Sequence, residues 1–97
     1  MLLAISTYLK PLNEVDKFRA DHLSYLKSLF ADEKLLLAGR QNPPTGAVII
    51  AKNLSHDAFV QILSNDPYSK AGVAEYKIID FTPALYDELL SAVVELA

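Results

Sequence analysis

The sequence predicts an α+β domain in which an antiparallel sheet of four strands carries two helices on one face. The chain has 97 residues, of which 52% are hydrophobic and 22% charged, and this suits a single packed domain. Four short apolar segments alternate with two segments of helical periodicity in the order β-α-β-β-α-β. Turn-forming residues separate these segments. This order is the ferredoxin-like split βαβ plan, and a further helix is predicted after the last strand.

The first predicted strand and helix occupy the first third of the chain. Leu2 to Leu9 is short and apolar and is followed by Lys10-Pro11, which predicts strand one. Asn13 is a candidate N-cap with Asp16 at N3, where an acidic side chain suits the helix dipole. Residues at helical spacing then form one face of a predicted helix that runs to about residue 32: Val15, Phe18, His22, Leu26 and Leu29. His22 therefore falls on the apolar face of this helix.

Strands two and three are predicted to form a hairpin. Leu35 to Ala38 is apolar and is ended by Gly39, and Ala47 to Lys52 is the next apolar segment. Pro43 to Gly46 lies between them and predicts the turn of the hairpin.

A second helix and a short turn are predicted next. Ser55 is expected to cap a helix that runs through Ser64. Asp66 before Pro67 is a good N-cap for a single helical turn that ends at Gly72.

The last part of the chain is predicted to contain a strand and a helix. Ala74 to Phe81 alternates in part and predicts strand four. Thr82-Pro83 is expected to cap a helix with one apolar stripe, made of Leu85, Leu89, Val93 and Leu96. We therefore expect one domain, residues 1–97, with a core over residues 1–82 and a C-terminal helix over residues 83–97.

Composition and charge exclude several classes of protein. The net charge is −3 and the nine lysines and arginines are scattered, so nucleic acid is not an expected partner. The chain has no cysteine for a disulfide, a thiol nucleophile or a zinc–thiolate site. The longest apolar run, Ala47 to Ala51, is far too short to cross a bilayer, and the first residues do not form a signal peptide. We expect a cytoplasmic protein without membrane contact.

The predicted sheet has a second face that also needs a cover. Val48-Ile49-Ile50 is apolar throughout, which is typical of a strand that is covered on both faces. A second copy of the chain is the simplest cover, and we expect a homodimer.

The residues able to do chemistry form a small set, because phosphate-binding loops, nucleophile elbows and metal-spaced clusters are absent from the sequence. We therefore expect no cofactor and no metal. His22 is either a hydrogen-bonded core histidine or a general base, since imidazole titrates near neutral pH. Asp66 serves as an N-cap, and its second oxygen is free to hold an imidazole. The structural and the catalytic interpretation are compatible.

Two more residues are candidates for binding a small-molecule ligand. Arg40 is either solvated at the mouth of the hairpin or positioned to hold an anionic substrate oxygen. Tyr68 adjoins Asp66, whereas the other tyrosines are expected to be half-buried packing residues. His56 is expected to be solvated in the first turn of the second helix.

Three motifs, taken in order, resemble the YciI-like family. They are Asp21-His22-Leu23 with Leu26, then Leu-Leu-Leu-Ala-Gly at 35–39, and Asn-Asp-Pro-Tyr-Ser-Lys-Ala-Gly at 65–72. The resemblance runs from residue 1 to about residue 81 and implies a dimeric α+β barrel, in which two ferredoxin-like sheets face each other. In that family the matching histidine and aspartate form a pair in a cleft, proposed as an active-site dyad. This carries over to His22 and Asp66, with Gly39 and Gly72 as positions that shape the backbone.

The resemblance also implies a class of reaction. The best-known activity of the family is dehydrochlorination of a chlorinated hydroxyhydroquinone, which implies proton abstraction from a small cyclic or phenolic compound without a cofactor. Arg40 stands where the family often has proline, and the loop at 43–46 is shorter than the family's, so we expect a more open cleft and a different ligand.

Three hypotheses follow. The first is an enzyme of the lyase or isomerase type, in which His22, oriented by Asp66, removes a proton and Arg40 holds an anionic oxygen. The second is a non-catalytic protein that binds a metabolite in the same cleft. The third is a purely structural role, in which the His22–Asp66 pair secures the helix to the turn.

Overall fold

The chain folds around one four-stranded sheet in a computed structural model that describes residues 1–95. In chain order its elements are β1 (Leu2–Tyr8), α1 (Leu12–Val15), a 3-10 turn (Asp16–Phe18), α2 (Arg19–Ala31), β2 (Leu35–Arg40), β3 (Ala47–Ala51), α3 (His56–Ser64), α4 (Pro67–Lys70), β4 (Ala74–Asp80), a second 3-10 turn (Glu88–Leu90) and α5 (Ser91–Val94). None of the described helices has the length and apolar character that crossing a membrane requires.

The strands are arranged in the order β2-β3-β1-β4, and every neighbouring pair is antiparallel. This arrangement confirms the predicted ferredoxin-like α+β fold. The β1–β4 ladder places Ser6 opposite Tyr76, in the part of the sheet that carries the candidate site.

The two faces of the sheet have different environments because side chains alternate along each strand. On one face, buried strand residues pack under α2 and α3; the central members of this core are Leu2, Ala4, Leu26, Leu29, Ile49, Ala51, Phe59 and Leu63. On the other face, several aliphatic side chains are partly exposed, namely Leu3, Ile5, Leu37, Val48, Ile50 and Ile79, and β4 adds the charged Glu75 and Lys77. The outer face therefore keeps exposed apolar area, although Leu90 and Val94 of the C-terminal segment border a hollow that Leu37 and Ile50 also line.

The start of the first helix differs from the prediction. Helix α1 begins at Leu12, directly after Pro11, and no side chain caps it, so Asn13 is not the N-cap. Pro11 occupies the N-cap position with an extended ψ of 151°, and its carbonyl accepts the first hydrogen bond of the helix, from Val15 N at 3.1 Å. Asp16 begins a 3-10 turn instead of completing a capping pair, and its carboxylate forms an ion pair with Arg40.

Strand β2 runs further than predicted. It continues through Gly39, which pairs with Val48, to Arg40, which pairs with Ala47. A side chain at Gly39 would meet no atom within 4 Å, and Gly39 does not have a positive φ, so its backbone is that of an ordinary strand. Gly46 is the more constrained glycine of this hairpin, because a Cβ there would lie 1.8 Å from the carbonyl oxygen of Ser6.

The predicted C-terminal helix over residues 83–97 is wrong in its extent. Helical structure begins only at Glu88, because the Asp87 side chain accepts a hydrogen bond from Leu89 N at 2.9 Å and so supplies the N-cap. Leu85 and Leu89 are 95% and 91% exposed and therefore form no inward stripe. The last predicted member of that stripe, Leu96, lies outside the described residues.

Candidate active site

Asp66 lies in a short turn whose two ends are both fixed by local sequence. Its side chain accepts a hydrogen bond from Tyr68 N at 3.1 Å, and Pro67 fills the first position of α4. The turn ends in a Schellman motif, in which Val73 N donates to the Tyr68 carbonyl and Gly72 has a φ of 69°. The predicted N-cap and the predicted role of Gly72 are both observed, and the carboxylate is held by a rigid segment.

The Asp66 carboxylate contacts the imidazole of His22, which lies on the inward face of α2. His22 Nδ1 is 2.7 Å from Asp66 Oδ1, and the two side chains are 6% and 1% exposed. Because a carboxylate only accepts hydrogen bonds, Nδ1 is the donor in this pair, and in a neutral imidazole Nε2 then carries the lone pair. Within residues 1–95, this is the ring's one hydrogen bond, and no fully buried side-chain nitrogen or oxygen lacks a partner. Nε2 is therefore open to a ligand.

Two tyrosines hold this pair in place. The ring of Tyr68 stacks on the imidazole, with centroids 3.9 Å apart and planes 7° apart. The hydroxyl of Tyr76 donates to Asp66 Oδ2, so the carboxylate accepts hydrogen bonds on both oxygens. Burial and the neighbouring Asp66 carboxylate raise the pKa of Tyr76, and the phenol therefore remains a donor. Burial, with Tyr8 nearby, also raises the pKa of Tyr68.

His22 forms part of the wall of a cavity of about 170 Å³ between α2 and the ends of β1, β2 and β3. One part of the wall is apolar and includes Leu23, Leu26, Ala38 and Ile49. The polar part is contributed by His22, Tyr8, Arg19 and Arg40. The cavity thus combines an imidazole with two guanidinium groups and an apolar surface, an arrangement that favours a small anionic ligand with a hydrophobic ring.

Arg40 reaches the cavity because β2 continues past the glycine that was expected to end it. Its Nη2 donates to Asp16 Oδ1 at 2.6 Å, and its Nε donates to the Tyr8 hydroxyl oxygen at 3.0 Å. Burial lowers the pKa of Arg40, but the hydrogen bonds to Asp16 and Tyr8 outweigh burial and raise that pKa above its usual value. Arg40 is therefore a fixed cation, with its side chain only 19% exposed.

The structure brings together all four residues that the sequence analysis selected for the site. His22, Arg40 and Tyr68 line the cavity, and Asp66 lies directly behind His22. His56 lies elsewhere: its side chain is 57% exposed and borders a different hollow, which contains none of the four. Among the described residues, no group of three or more His, Asp or Glu side chains is arranged to hold a metal ion.

The sequence analysis did not identify Tyr76, Tyr8 or Asp16 as members of the site. Tyr76 lies on the inward face of β4 together with Ala74 and Ile78, which pack against the cores of the molecule. An inward phenol needs a hydrogen-bond partner, and this requirement was a usable signal in the sequence. Tyr8 and Asp16 carried no such signal, because they meet Arg40 only through the packing of β1 and the 3-10 turn beside β2.

The chain is similar to known proteins in sequence and in fold. The sequence model of the YCII-related domain family matches residues 1–82. Among solved structures, the chain is similar to 5-chloro-2-hydroxyhydroquinone dehydrochlorinase from Burkholderia phenoliruptrix in complex with 2,5-dihydroxybenzoquinone, with 27% identity and a TM-score of 0.69. That similarity covers 84% of this chain and 93% of the dehydrochlorinase chain. No protein with a curated description matches the sequence.

Proposed function

Because this chain belongs to the family of YCII-related domains, we propose that it is a cofactor-free enzyme of the lyase or isomerase type. Its substrate is a small anionic or phenolic metabolite, and His22 is the general base. The structural similarity to a dehydrochlorinase supports the lyase class. The observation that carries the proposal is the buried His22–Asp66 pair whose free Nε2 opens on the cavity.

The geometry supports a simple proton transfer. The Nε2 lone pair accepts a proton from the substrate, while Nδ1–H stays hydrogen-bonded to Asp66 at 2.7 Å. The resulting imidazolium lies against a carboxylate that is buried and cannot rotate, because Tyr76 and the Tyr68 N–H bind it as well. Asp66 thus fixes the tautomer of the base and stabilises the charge that the base acquires, which is the role of an orienting carboxylate beside a catalytic histidine.

The cavity limits the size and charge of the substrate. Its volume of about 170 Å³ is close to the roughly 150 Å³ that accommodates a benzene ring in an engineered protein cavity. The cationic Arg40 and Arg19 in the wall favour a ring that bears an ionised oxygen. The dehydrochlorinase structure contains 2,5-dihydroxybenzoquinone, a single six-membered ring of this kind. We infer that one substituted ring fills the cavity.

A turnover assay on 5-chloro-2-hydroxyhydroquinone, with chloride release as the signal, tests the proposal. His22→Ala removes the general base and should lower turnover by about 100- to 10,000-fold. Asp66→Asn should also lower turnover. His56→Ala is the control and should retain full activity, because His56 is exposed and lies outside the cavity. Undiminished turnover by both His22→Ala and Asp66→Asn would remove the dyad from the mechanism.

The alternative function is binding without turnover in the same cavity. A thermal-shift measurement alongside the activity assay separates the two functions. A ring compound that raises the unfolding temperature strongly but is never converted would favour a binding protein. Conversion that depends on His22 favours the enzyme.

The proposal also includes a cytoplasmic homodimer. Its support is the apolar outer face of the sheet, on which Leu37 is 60% exposed and Ile79 is 36% exposed. Apolar patches of this kind mark contact surfaces, and closed two-fold dimers are the commonest assembly. Light scattering after gel filtration should give twice the chain mass of 10.7 kDa. A mass of one chain at all concentrations would exclude the dimer.

A further inference from the structure

Tyr8, the last residue of β1, has a hydroxyl group whose hydrogen-bonding capacity is only half used. Arg40 Nε donates to the Tyr8 oxygen at 3.0 Å, and the guanidinium carbon lies 5.4 Å from the centre of the ring. Because the oxygen is the acceptor in this contact, the hydrogen of the hydroxyl must point elsewhere. Residues 1–95 provide no acceptor for that hydrogen. The hydroxyl of Tyr76, in contrast, is committed to Asp66.

Tyr8 lines the cavity that His22 and Arg40 also line. The Tyr8 ring packs edge-on against Tyr68, with centroids 6.0 Å apart and planes at 83°. Tyr68 in turn stacks on His22. Three aromatic rings in mutual contact therefore line the cavity, and Arg40 holds the hydroxyl of one of them, Tyr8.

We propose that Tyr8 is a further catalytic residue, whose hydroxyl donates a hydrogen bond to the substrate oxygen that becomes negatively charged. This inference rests on the proposed function. When His22 Nε2 takes a proton from the substrate, the electron pair of the broken bond stays on the substrate and delocalises onto an oxygen. Tyr8 donates to that oxygen and keeps its own proton, while Arg40 supplies positive charge nearby. The step requires no oxidant, reductant or further reactant.

The contact with Arg40 makes Tyr8 a stronger donor than an isolated phenol. A hydroxyl whose oxygen accepts from a charged group is polarised, and linked hydrogen bonds strengthen one another in a partly buried site. Fixed donors aimed at developing charge make large contributions to catalysis, about 100- to 1,000-fold for a single donor. The proposed site therefore combines a base, His22, with an oxyanion donor, Tyr8, in the wall of one cavity.

Binding of 2,5-dihydroxybenzoquinone, followed by isothermal titration calorimetry, tests this role without requiring the natural substrate. Tyr8→Phe keeps the ring that packs on Tyr68 and removes only the hydroxyl, and it should bind the quinone about 10- to 100-fold more weakly than the unmodified protein. Tyr86→Phe is the matched control, because this tyrosine lies outside the cavity and should leave the affinity unchanged. Replacement of Tyr8 by 3-fluorotyrosine, which has a more acidic hydroxyl, should tighten binding and provides a second variant of nearly unchanged size.

The Tyr8 hydroxyl could contact the ligand directly or act only through Arg40. Measuring the quinone affinity with and without Tyr8→Phe in an Arg40→Gln background distinguishes the two. If Tyr8 contacts the ligand, Tyr8→Phe weakens binding several-fold in that background as well. If Tyr8 only positions Arg40, the further substitution has no effect, and the proposed role is wrong.

The two proposals fail in distinguishable ways. A protein that binds the quinone with equal affinity with and without the Tyr8 hydroxyl retains the proposed function and loses only the role of Tyr8. If no variant binds either the quinone or 4-nitrophenolate, an anionic ring is not the ligand of this cavity, and the proposed role of Tyr8 is wrong as well.

Discussion

Removal of the Asp66 side chain has a stability cost that can be worked out from its contacts. Asp66→Ala deletes the N-cap acceptor of Tyr68 N, which costs about 0.5 to 2 kcal/mol. It also leaves the buried hydrogens of His22 Nδ1 and the Tyr76 hydroxyl without an acceptor, at about 1 to 3 kcal/mol each. The free energy of unfolding should therefore fall by about 2.5 to 8 kcal/mol, a large part of the roughly 5 to 15 kcal/mol of a typical domain.

Asp66→Asn should behave differently, because its amide oxygen still accepts from Tyr68 N and from the imidazole. We expect it to cost about 1 to 2 kcal/mol in stability while losing the negative charge that the catalytic proposal requires. Urea denaturation followed by circular dichroism measures both variants, and Asp57→Ala serves as the control because that carboxylate is fully exposed. A loss below about 1 kcal/mol for Asp66→Ala would refute the hydrogen-bonded arrangement.

Three further predictions concern pH, backbone packing and assembly. The raised pKa of Tyr76 means that it stays protonated in the folded state above its ordinary pKa of 10.0, while the unfolded chain ionises. Its contribution to the free energy of unfolding is therefore complete below pH 10 and falls by about 1.4 kcal/mol per pH unit as the pH rises further. Tyr76→Phe should make the loss of stability at alkaline pH shallower, and an unchanged loss would contradict a protonated buried phenol. Gly46→Ala places a Cβ 1.8 Å from the Ser6 carbonyl oxygen, so the backbone must shift, and the free energy of unfolding should fall by about 2 kcal/mol or more. An unaltered unfolding temperature would show that the hairpin does not approach β1 this closely. Leu37→Lys places a charge on the outer face of the sheet and should convert dimers to monomers in sedimentation velocity, whereas a persistent dimer would mean that the subunits meet elsewhere.

The parts of the fold that local sequence determines were predictable. Short apolar segments located the strands, and Ser55 caps α3 as expected, accepting from Ala58 N at 3.2 Å. Asp66, Pro67 and Gly72 together define a complete turn, from N-cap to Schellman motif, within seven residues of sequence. Each of these features depends on chemistry within a few residues, and a single sequence contains that information.

The failures of prediction have a common physical cause, which is competition between local signals. Thr82-Pro83 and Asp87 are both acceptable helix starts, and the structure uses Asp87, whose side chain caps Leu89 N. Gly39 has low strand propensity, but its ladder partner Val48 keeps it in the sheet. Propensity is weak compared with tertiary contacts at such positions.

The composition of the site was predictable only where a residue stood out from its surroundings. His22 is the one titratable residue on an apolar helix face, and Asp66 is part of a recognisable turn. The approach of Tyr76 to Asp66 depends on the register of β4 against β1, which local sequence does not encode. The same holds for Arg40, whose ion pair with Asp16 joins residues from two separate elements.

A crystal structure of the protein with 2,5-dihydroxybenzoquinone would test most directly whether the imidazole and its carboxylate serve a ligand. We expect one quinone ring in the cavity, with an oxygen within hydrogen-bonding distance of His22 Nε2 and another facing Arg40, while Nδ1 stays hydrogen-bonded to Asp66. A ring bound in another hollow, or a His22 whose Nε2 is closed off by protein atoms, would contradict it.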